Sequence, residues 1–225
     1  LKVIINGAMT VDGKIATASG DSRISSKQDL VRVHRLRASV DAIVVGISTI
    51  LADDPRLTVR LVRGKNPIRI IVDSRGRLPL GSQILQTASK VKTIVAVTDQ
   101  APADKIQKIE DMGAQVLVIS AGKEGRNAAV PRGVNLKELF LILKKSGLKR
   151  ILVEGGGELN WSLLHLGLVD ELVVTVAPKI AGGRLAITLA EGDGFDRIAQ
   201  GIQLKLSKVE RKSKTGELVL YYSLP

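Results

Sequence analysis

Cysteine is absent from the 225 residues, which excludes disulfides, thiol nucleophiles and thiolate metal sites. Histidine occurs only as His34 and His165, so no histidine-rich metal centre is expected. Aromatic residues make up 2% of the chain, too few for the platforms on which bases stack. No apolar run approaches the ~20 residues needed to span a bilayer. No signal peptide is visible at the start. These absences point to a soluble, cytoplasmic protein that binds no metal and no membrane.

Positive charge, by contrast, is abundant. Net charge is +12, compatible with a nucleic-acid-binding face or with an anionic small-molecule ligand. The basic residues are dispersed, with no long Lys/Arg block, and with so few aromatics this favours the small molecule. Hydrophobic residues form 44% of the chain, ample core for one large domain over residues 1–225 or for two small ones.

Short Val/Ile-rich runs recur: "KVIING", "DAIVVG", "PIRIIVDS", "KTIVAVTD", "AQVLVIS", "RILVEGG" and "ELVVTVAP". Such continuous apolar strands are expected where a sheet is covered on both faces. Helical patterns lie between several of them. Asn135 is expected to cap a helix with Glu138 as capping-box partner. Leu136, Leu139, Phe140 and Leu143 form its apolar stripe, and Gly147 stops it. A second helix is predicted from about Ser26 to Arg37 with Leu30 and Val33 inward, and a third near Asp104 to Met112, ended by Gly113. "IQLKLSKVERKSK" alternates apolar and charged residues before Thr215-Gly216, which predicts a terminal β-hairpin with one face exposed. The stretch from Ser120 to Gly133 reads as a flexible internal loop. The expected class is α/β: a mixed, mostly parallel sheet flanked by helices, with a C-terminal antiparallel hairpin.

The richest segment is "RILVEGGGELNWSLLHLGLVDELVVTVAPKIAGG", Arg150 to Gly183. A strand runs into Glu154, then Gly155, Gly156 and Gly157, then a helix. Glycines allow close backbone approach, and free first-turn N–H groups attract phosphate. Gly155 and Gly157 fit the first two positions of a dinucleotide-binding G-x-G-x-x-G, but Asn160 stands at the third. The turn is either a phosphate site or only a tight connection.

Other segments offer candidates with plain alternatives. "MTVDGKIATASGDSRIS" is a small-residue polar loop holding Lys14, either a ligand wall or an exposed turn. In "GISTILADDPRLTVR", Thr49 starts a short helix that Asp53-Asp54-Pro55 ends, where a carboxylate is usually a cap. In "VDSRGRLP", Ser74, Arg75 and Arg77 could grip a ribose 2′-phosphate, with Asp73 as ligand contact or turn cap. His34 sits among Arg32, Arg35 and Arg37, as a surface residue or part of a phosphate cluster. A packing role is expected for His165.

Taken together, "MTVDGKIAT", "SGDSRIS", "VHRLRASVDAIVVGISTILADDPRLTVR", "NPIRIIVDSRGRLP", the Glu154 glycine segment and "EGDGF" resemble one family along nearly the whole chain. It is the reductase of riboflavin biosynthesis in its stand-alone archaeal form, similar to the reductase half of the bacterial bifunctional deaminase–reductase. A Trp common in the bacterial proteins before the Ile of "GDSRIS" is missing here. The resemblance implies a dihydrofolate-reductase-like fold, NADPH as cofactor and a homodimer. The implied substrate is 2,5-diamino-6-ribosylamino-4(3H)-pyrimidinone 5′-phosphate, a phosphorylated pyrimidine reduced to its ribitylamino product. Without cysteine, the zinc deaminase chemistry of the bacterial partner domain is not expected.

The resemblance also implies roles. Glu154 and Lys14 face the substrate as catalytic candidates. Thr49 and Asp53 lie along the nicotinamide and ribose. Gly155, Gly156, Gly157, Glu158 and Leu159 hold the pyrophosphate. Val72, Asp73, Ser74 and Arg75 meet the adenosine phosphate, and Ser22, Arg35, Arg37 and Arg56 the substrate. Dihydrofolate reductase, or a basic nucleic-acid-binding protein without enzymatic activity, are the competing readings.

Overall fold

The apolar runs become strands in the computed structural model, which describes residues 1–122 and 133–225. In chain order the elements are β1 Lys2–Thr10, α1 Lys27–Ala38, β2 Ala42–Gly46, α2 Ile47–Asp53, β3 Ile68–Val72, α3 Gln83–Gln86, β4 Thr93–Val97, α4 Ala103–Asp111 and β5 Gln115–Val118. There follow α5 Leu136–Lys145, β6 Arg150–Val153, α6 Gly157–His165, β7 Glu171–Ala177, β8 Lys205–Arg211 and β9 Leu218–Ser223. One sheet runs in the order β5-β4-β3-β2-β6-β1-β7-β9-β8. Every pairing from β5 to β7 is parallel, and β9 pairs antiparallel with β7 and β8.

Parallel strands bury both faces, and successive side chains alternate between them. Val3, Ile5, Val44, Ile151 and Val153 pack with Leu139, Phe140 and Leu143 of α5 and Leu163 of α6. Ile4, Ile43, Val45 and Leu152 pack on the opposite face with Ile47 and Ile50 of α2, Ile84 and Leu85 of α3, and Ile109 of α4. Fully burying an aliphatic side chain of this size stabilises by roughly 1.5–3 kcal/mol. Ile151, Leu152 and Val153 of β6 are all fully buried, so the strand that leads to Glu154 is anchored from both sides.

The helix signals resolve locally. Ser26 caps α1 by accepting from Asp29 N, and Asn135 caps α5 by accepting from Glu138 N. Only half of the expected capping box forms, because the Glu138 carboxylate accepts from the Ser120 hydroxyl instead. Gly113 and Gly147 close their helices with φ of +88° each. Leu30 departs from its expectation. Val33 is buried, but Leu30 is 43% exposed and borders a cavity instead of the core. The hairpin forms as expected, yet β8, the edge strand beyond β9, is exposed on both faces along almost its whole length, neither face being covered. Of the loop expected over Ser120–Gly133, residues 123–132 lie outside the described residues.

One charged residue occupies the sheet interior. Arg69 of β3 is fully buried. Its guanidinium donates to Thr93 Oγ1 at 3.0 and 2.6 Å, Thr87 Oγ1 at 2.8 Å, and the Ile84, Val91 and Arg56 carbonyls at 2.9, 3.1 and 3.3 Å. Burial lowers its pKa to about 10. A buried guanidinium is tolerable because its donors are bonded.

Candidate active site

A cavity of about 680 Å³ opens at the carboxyl ends of the central strands. This is where ligands bind in open parallel sheets. β6 delivers Glu154 to its wall. The ladder continues one residue beyond the strand, since Glu154 N donates to Val44 O at 3.1 Å. The Glu154 carboxylate accepts from Arg37 Nε at 2.8 Å and Nη2 at 2.5 Å. The side chains are 9% and 12% exposed, so this is a bidentate pair largely out of water. Burial opposes the Arg37 charge, but attraction and hydrogen bonding from Glu154 outweigh it and raise the Arg37 pKa. Arg37 Nη1 also donates to Thr58 O at 3.2 Å.

The glycine turn follows at once. Gly155 and Gly156 adopt φ of +116° and +92°, a region that side-chain-bearing residues rarely enter. A Cβ on either would point toward Thr49 Oγ1, at 3.9 and 3.5 Å. Gly156 is the N-cap of α6, and no side chain caps that end. Residues 155–159 line the cavity beside Thr49, and an uncapped helix start at that wall fits a pyrophosphate. Gly157 serves another purpose. A Cβ there would lie 2.7 Å from both Glu191 Cγ and Thr188 O, so its bareness admits a neighbouring strap of chain.

That strap, residues 187–191, was not anticipated as part of the site. Ile187, Leu189 and Glu191 line the cavity. Ile15 N donates to Ile187 O at 2.8 Å, Asn160 Nδ2 to Leu189 O at 2.8 Å, and Glu191 N to Gly157 O at 3.0 Å. Asn160, at the third glycine position of the sequence motif, thus ties α6 to the strap. Beyond it, Trp161 meets His165 and Phe195 with ring centroids 5.4 and 5.0 Å apart. Gly192 approaches so closely that a Cβ would sit 2.2 Å from Trp161 Cδ1. His165 stacks on Trp161 but stays exposed, so its packing is at the surface and not in the core.

Among the other candidates, Ser22, Thr49, Asp53, Val72, Glu158 and Leu159 border the cavity. Ser22 Oγ donates to Asp53 Oδ1 at 3.0 Å and ties the first loop to the end of α2. Lys14 does not border it. Its Nζ donates to Ala186 O at 3.2 Å, next to the strap. Asp73 is fully buried; its Oδ2 accepts from Leu78 N at 2.8 Å and Arg77 Nε lies 3.5 Å from Oδ1. Burial raises its pKa above the ordinary carboxylate value. Of the two uses the sequence left open for Asp73, the geometry is that of a turn cap. Ser74 is half-buried and Arg75 exposed, both outside the cavity wall. Arg35 and Arg56 are exposed and also stand off the wall, with Arg56 Nε donating to Gln83 Oε1 at 2.6 Å.

His34 is no surface residue. It is 4% exposed, and its Nδ1 accepts from Arg60 N at 2.8 Å and Leu61 N at 3.3 Å. It thereby fixes the loop carrying Arg60, a cation that sequence reasoning passed over. Burial lowers the Arg60 pKa, and the charges of Arg37 and Arg56 lower it further. Arg37, Arg56 and Arg60 thus concentrate positive charge on this flank, although only Arg37 of the three borders the cavity. Asn6 was also missed. It borders the cavity at 8% exposure, and its Oδ1 accepts from Arg32 Nη2 at 2.9 Å. The available signal was a polar residue interrupting the apolar run of β1. Among the described residues, no group of three or more His, Cys, Asp or Glu side chains could hold a metal ion, and no helix is long and apolar enough to cross a membrane.

Comparison with known proteins gives consistent matches. The family described as "RibD C-terminal domain" matches residues 1–216. The chain is 46% identical over 209 residues to the 2,5-diamino-6-ribosylamino-4(3H)-pyrimidinone 5′-phosphate reductase of Methanothermobacter thermautotrophicus, covering 92% of this chain and 91% of that one. It is 40% identical over 226 residues to the protein of the same name from Archaeoglobus fulgidus, covering 96% and 94%. Among solved structures, Acinetobacter baumannii RibD superposes with a TM-score of 0.78 at 28% identity, covering all of this chain and 58% of that one. The chain thus spans somewhat over half of that longer protein. The shared arrangement is dihydrofolate-reductase-like.

Proposed function

Because this chain belongs to the RibD C-terminal domain family, we propose that it reduces 2,5-diamino-6-ribosylamino-4(3H)-pyrimidinone 5′-phosphate with NADPH in riboflavin biosynthesis. The observation that carries this reading is the placement of Glu154. An arginine-paired carboxylate stands at the cavity wall directly before a bare glycine turn at a helix N-terminus.

The chemistry follows from the substrate. A ribosylamine opens to an imine at C1′, and an open ribityl chain forms when C1′ gains a hydride and the imine nitrogen a proton. Bound NADPH supplies the hydride. The residues here bind and orient. First-turn amides of Gly157, Glu158 and Leu159 would receive the pyrophosphate, with Thr49 and Asp53 along the nicotinamide ribose. Ser74 and Arg75 would meet the 2′-phosphate, and the inward turn of Asp73 removes a carboxylate from that surface. Glu154 would face C1′, where a carboxylate stabilises the positive charge of a protonated imine. Arg37 holds Glu154 in place. Arg37 at the wall, with the charges of Arg56 and Arg60 behind it, would favour the 5′-phosphate on this side of the cavity. Lys14, whose Nζ holds the Ala186 carbonyl beside the strap, would assist Glu154 from outside the cavity wall.

The family likeness extends to a homodimer. Ile180, Leu185 and Ile198 are 79%, 82% and 95% exposed, apolar surface that a second copy could cover. Sedimentation equilibrium of the purified protein checks this.

The central test is turnover. With fresh substrate under anaerobic conditions, the protein should oxidise NADPH, and NADH far more slowly. Absence of turnover with both cofactors would overturn the proposal. Turnover of dihydrofolate in place of the pyrimidine would move the assignment to dihydrofolate reductase.

A further inference from the structure

We infer that Asn6 is a specificity-determining residue that donates from Nδ2 to a hydrogen-bond acceptor on the pyrimidine ring of the substrate. This rests on the reductase reading above and adds a contact to it.

The orientation of the Asn6 amide is fixed by chemistry. A guanidinium can only donate, so the atom facing Arg32 Nη2 must be Oδ1. Arg32 is held in turn. Its Nε donates to Asp29 Oδ1 at 2.7 Å, and Nη2 also reaches Thr175 Oγ1 at 3.2 Å. Asp29 is fully buried and is itself held, accepting from Thr175 Oγ1 at 2.8 Å and Ser25 Oγ at 2.7 Å. A chain of bonded groups thus sets one side-chain amide at the cavity wall. Nδ2 is the end left over. It has no partner among the described residues. A buried network of this kind is worth building when its free end meets a ligand.

Placement identifies which ligand. The β1–β6 register pairs Ile5 with Val153, so Asn6 stands beside Glu154 on the same face of the sheet. Helix α1 covers that face, sending Arg32 to Asn6 and Arg37 to Glu154. Leu30 and Val33, from the same helix, line the space between. Apolar walls, a donor at one end and the Arg37–Glu154 pair at the other suit a flat ring carrying a polar, phosphorylated chain. The cofactor turn at Gly155 and Gly156 lies on the other side of Glu154, toward Thr49. A donor-only tip selects a carbonyl oxygen or ring nitrogen and rejects an amino group at that ring position.

Asn6→Asp is the discriminating variant. It keeps shape and keeps an acceptor for Arg32, but replaces the donor with an acceptor. The expected result is a ten- to hundredfold rise in KM for the pyrimidine, an NADPH KM changed by less than about twofold, and an unchanged melting temperature. A purely structural Asn6 would leave the pyrimidine KM alone. An unchanged pyrimidine KM, or a rise confined to NADPH, overturns the inference. Should the aspartate variant not fold, Asn6→Ser gives the same reading, since its hydroxyl is too short to reach both neighbours. Calorimetric titration of the pyrimidine onto wild type and variant separates the two levels of the argument. Wild type that binds but does not turn over removes the reductase reading and leaves Asn6 testable by affinity; equal affinities for both proteins remove Asn6.

Discussion

Arg37 and Glu154 are separated by 117 residues, yet they form a bidentate pair with bonds of 2.8 and 2.5 Å at the cavity wall. The pair joins α1 to the end of β6, so one contact serves both the site's charge and its rigidity.

Removing one partner should therefore show in two assays. Glu154→Gln keeps one acceptor for Arg37 but leaves its charge uncompensated, and broken buried pairs cost ~3–5 kcal/mol. The retained amide oxygen should hold the loss nearer about 2 kcal/mol. Turnover should fall by two or more orders of magnitude, in the range of about 10²–10³ for a lost electrostatic contact. NADPH binding should stay largely intact. Denaturant unfolding, single-turnover kinetics and cofactor titration check the three parts; equal loss of turnover and NADPH affinity would move Glu154 to the cofactor site.

The glycines should separate by role. Gly156→Ala must force a side chain into φ of +92°, a strain of about 1–3 kcal/mol, and should weaken NADPH about tenfold or more. Gly157→Ala meets no such φ penalty but places a Cβ 2.7 Å from Thr188 O and Glu191 Cγ. It should displace the strap. Cofactor fluorescence titration together with thermal melts checks both, and indistinguishable behaviour of the two variants would contradict the assignment.

Trp161 is the only tryptophan and meets Gly192 and Phe195, in the chain that continues directly from the strap. Its emission is a ready reporter of strap position. Phe195→Ala should red-shift it and cost about 1 kcal/mol, the contact being half exposed. NADPH should alter the emission in wild type and less so in the variant. A cofactor titration with no change at Trp161 in either protein would show the strap to be indifferent to ligand.

Stability should fall in mild acid because of His34. Burial, then the charges of Arg37 and Arg60, hold its pKa below the ordinary imidazole value. Its Nδ1 must also stay unprotonated to accept from Arg60 and Leu61. Between the folded pKa and the unfolded value of about 6.5, the unfolded chain binds more protons. The contribution is thus complete above about pH 6.5 and is lost as pH falls toward the folded pKa. His34→Asn, which retains an acceptor, should flatten the melting temperature against pH in that window. A wild-type profile already flat between pH 5 and about 7 would refute the linkage.

The elements were legible where the signal is local. Asn135, Gly113 and Gly147 mark helix ends because a cap or a positive φ is decided by one residue. The Val/Ile runs mark strands because both sheet faces are covered. Relationships that cross the sheet left no such mark. The Arg37–Glu154 pair, the Arg32–Asn6 contact and the His34 anchor each join positions with no shared period. Arg69 was invisible for another reason. Its partners are carbonyls and hydroxyls, so no complementary charge appears anywhere in the sequence to betray it. Leu30 misled because helical spacing gives the inward direction, but not whether core or cavity lies there.

The position of β6 bears on how the molecule comes to be active at all. It lies between β2 and β1, pairing Arg150 with Lys2 and Ile151 with Ala42. Both neighbours are synthesised long before it. Until residues near 150 arrive, β1 has no strand to join it to β2 and the strands beyond, and contacts of such sequence separation form slowly. The strand that bridges the gap is the one that carries Glu154. Joining β1 to the β2 side of the sheet and bringing Glu154 to the site are thus one folding event, and a chain stalled before it would hold neither a joined core nor the carboxylate of its site.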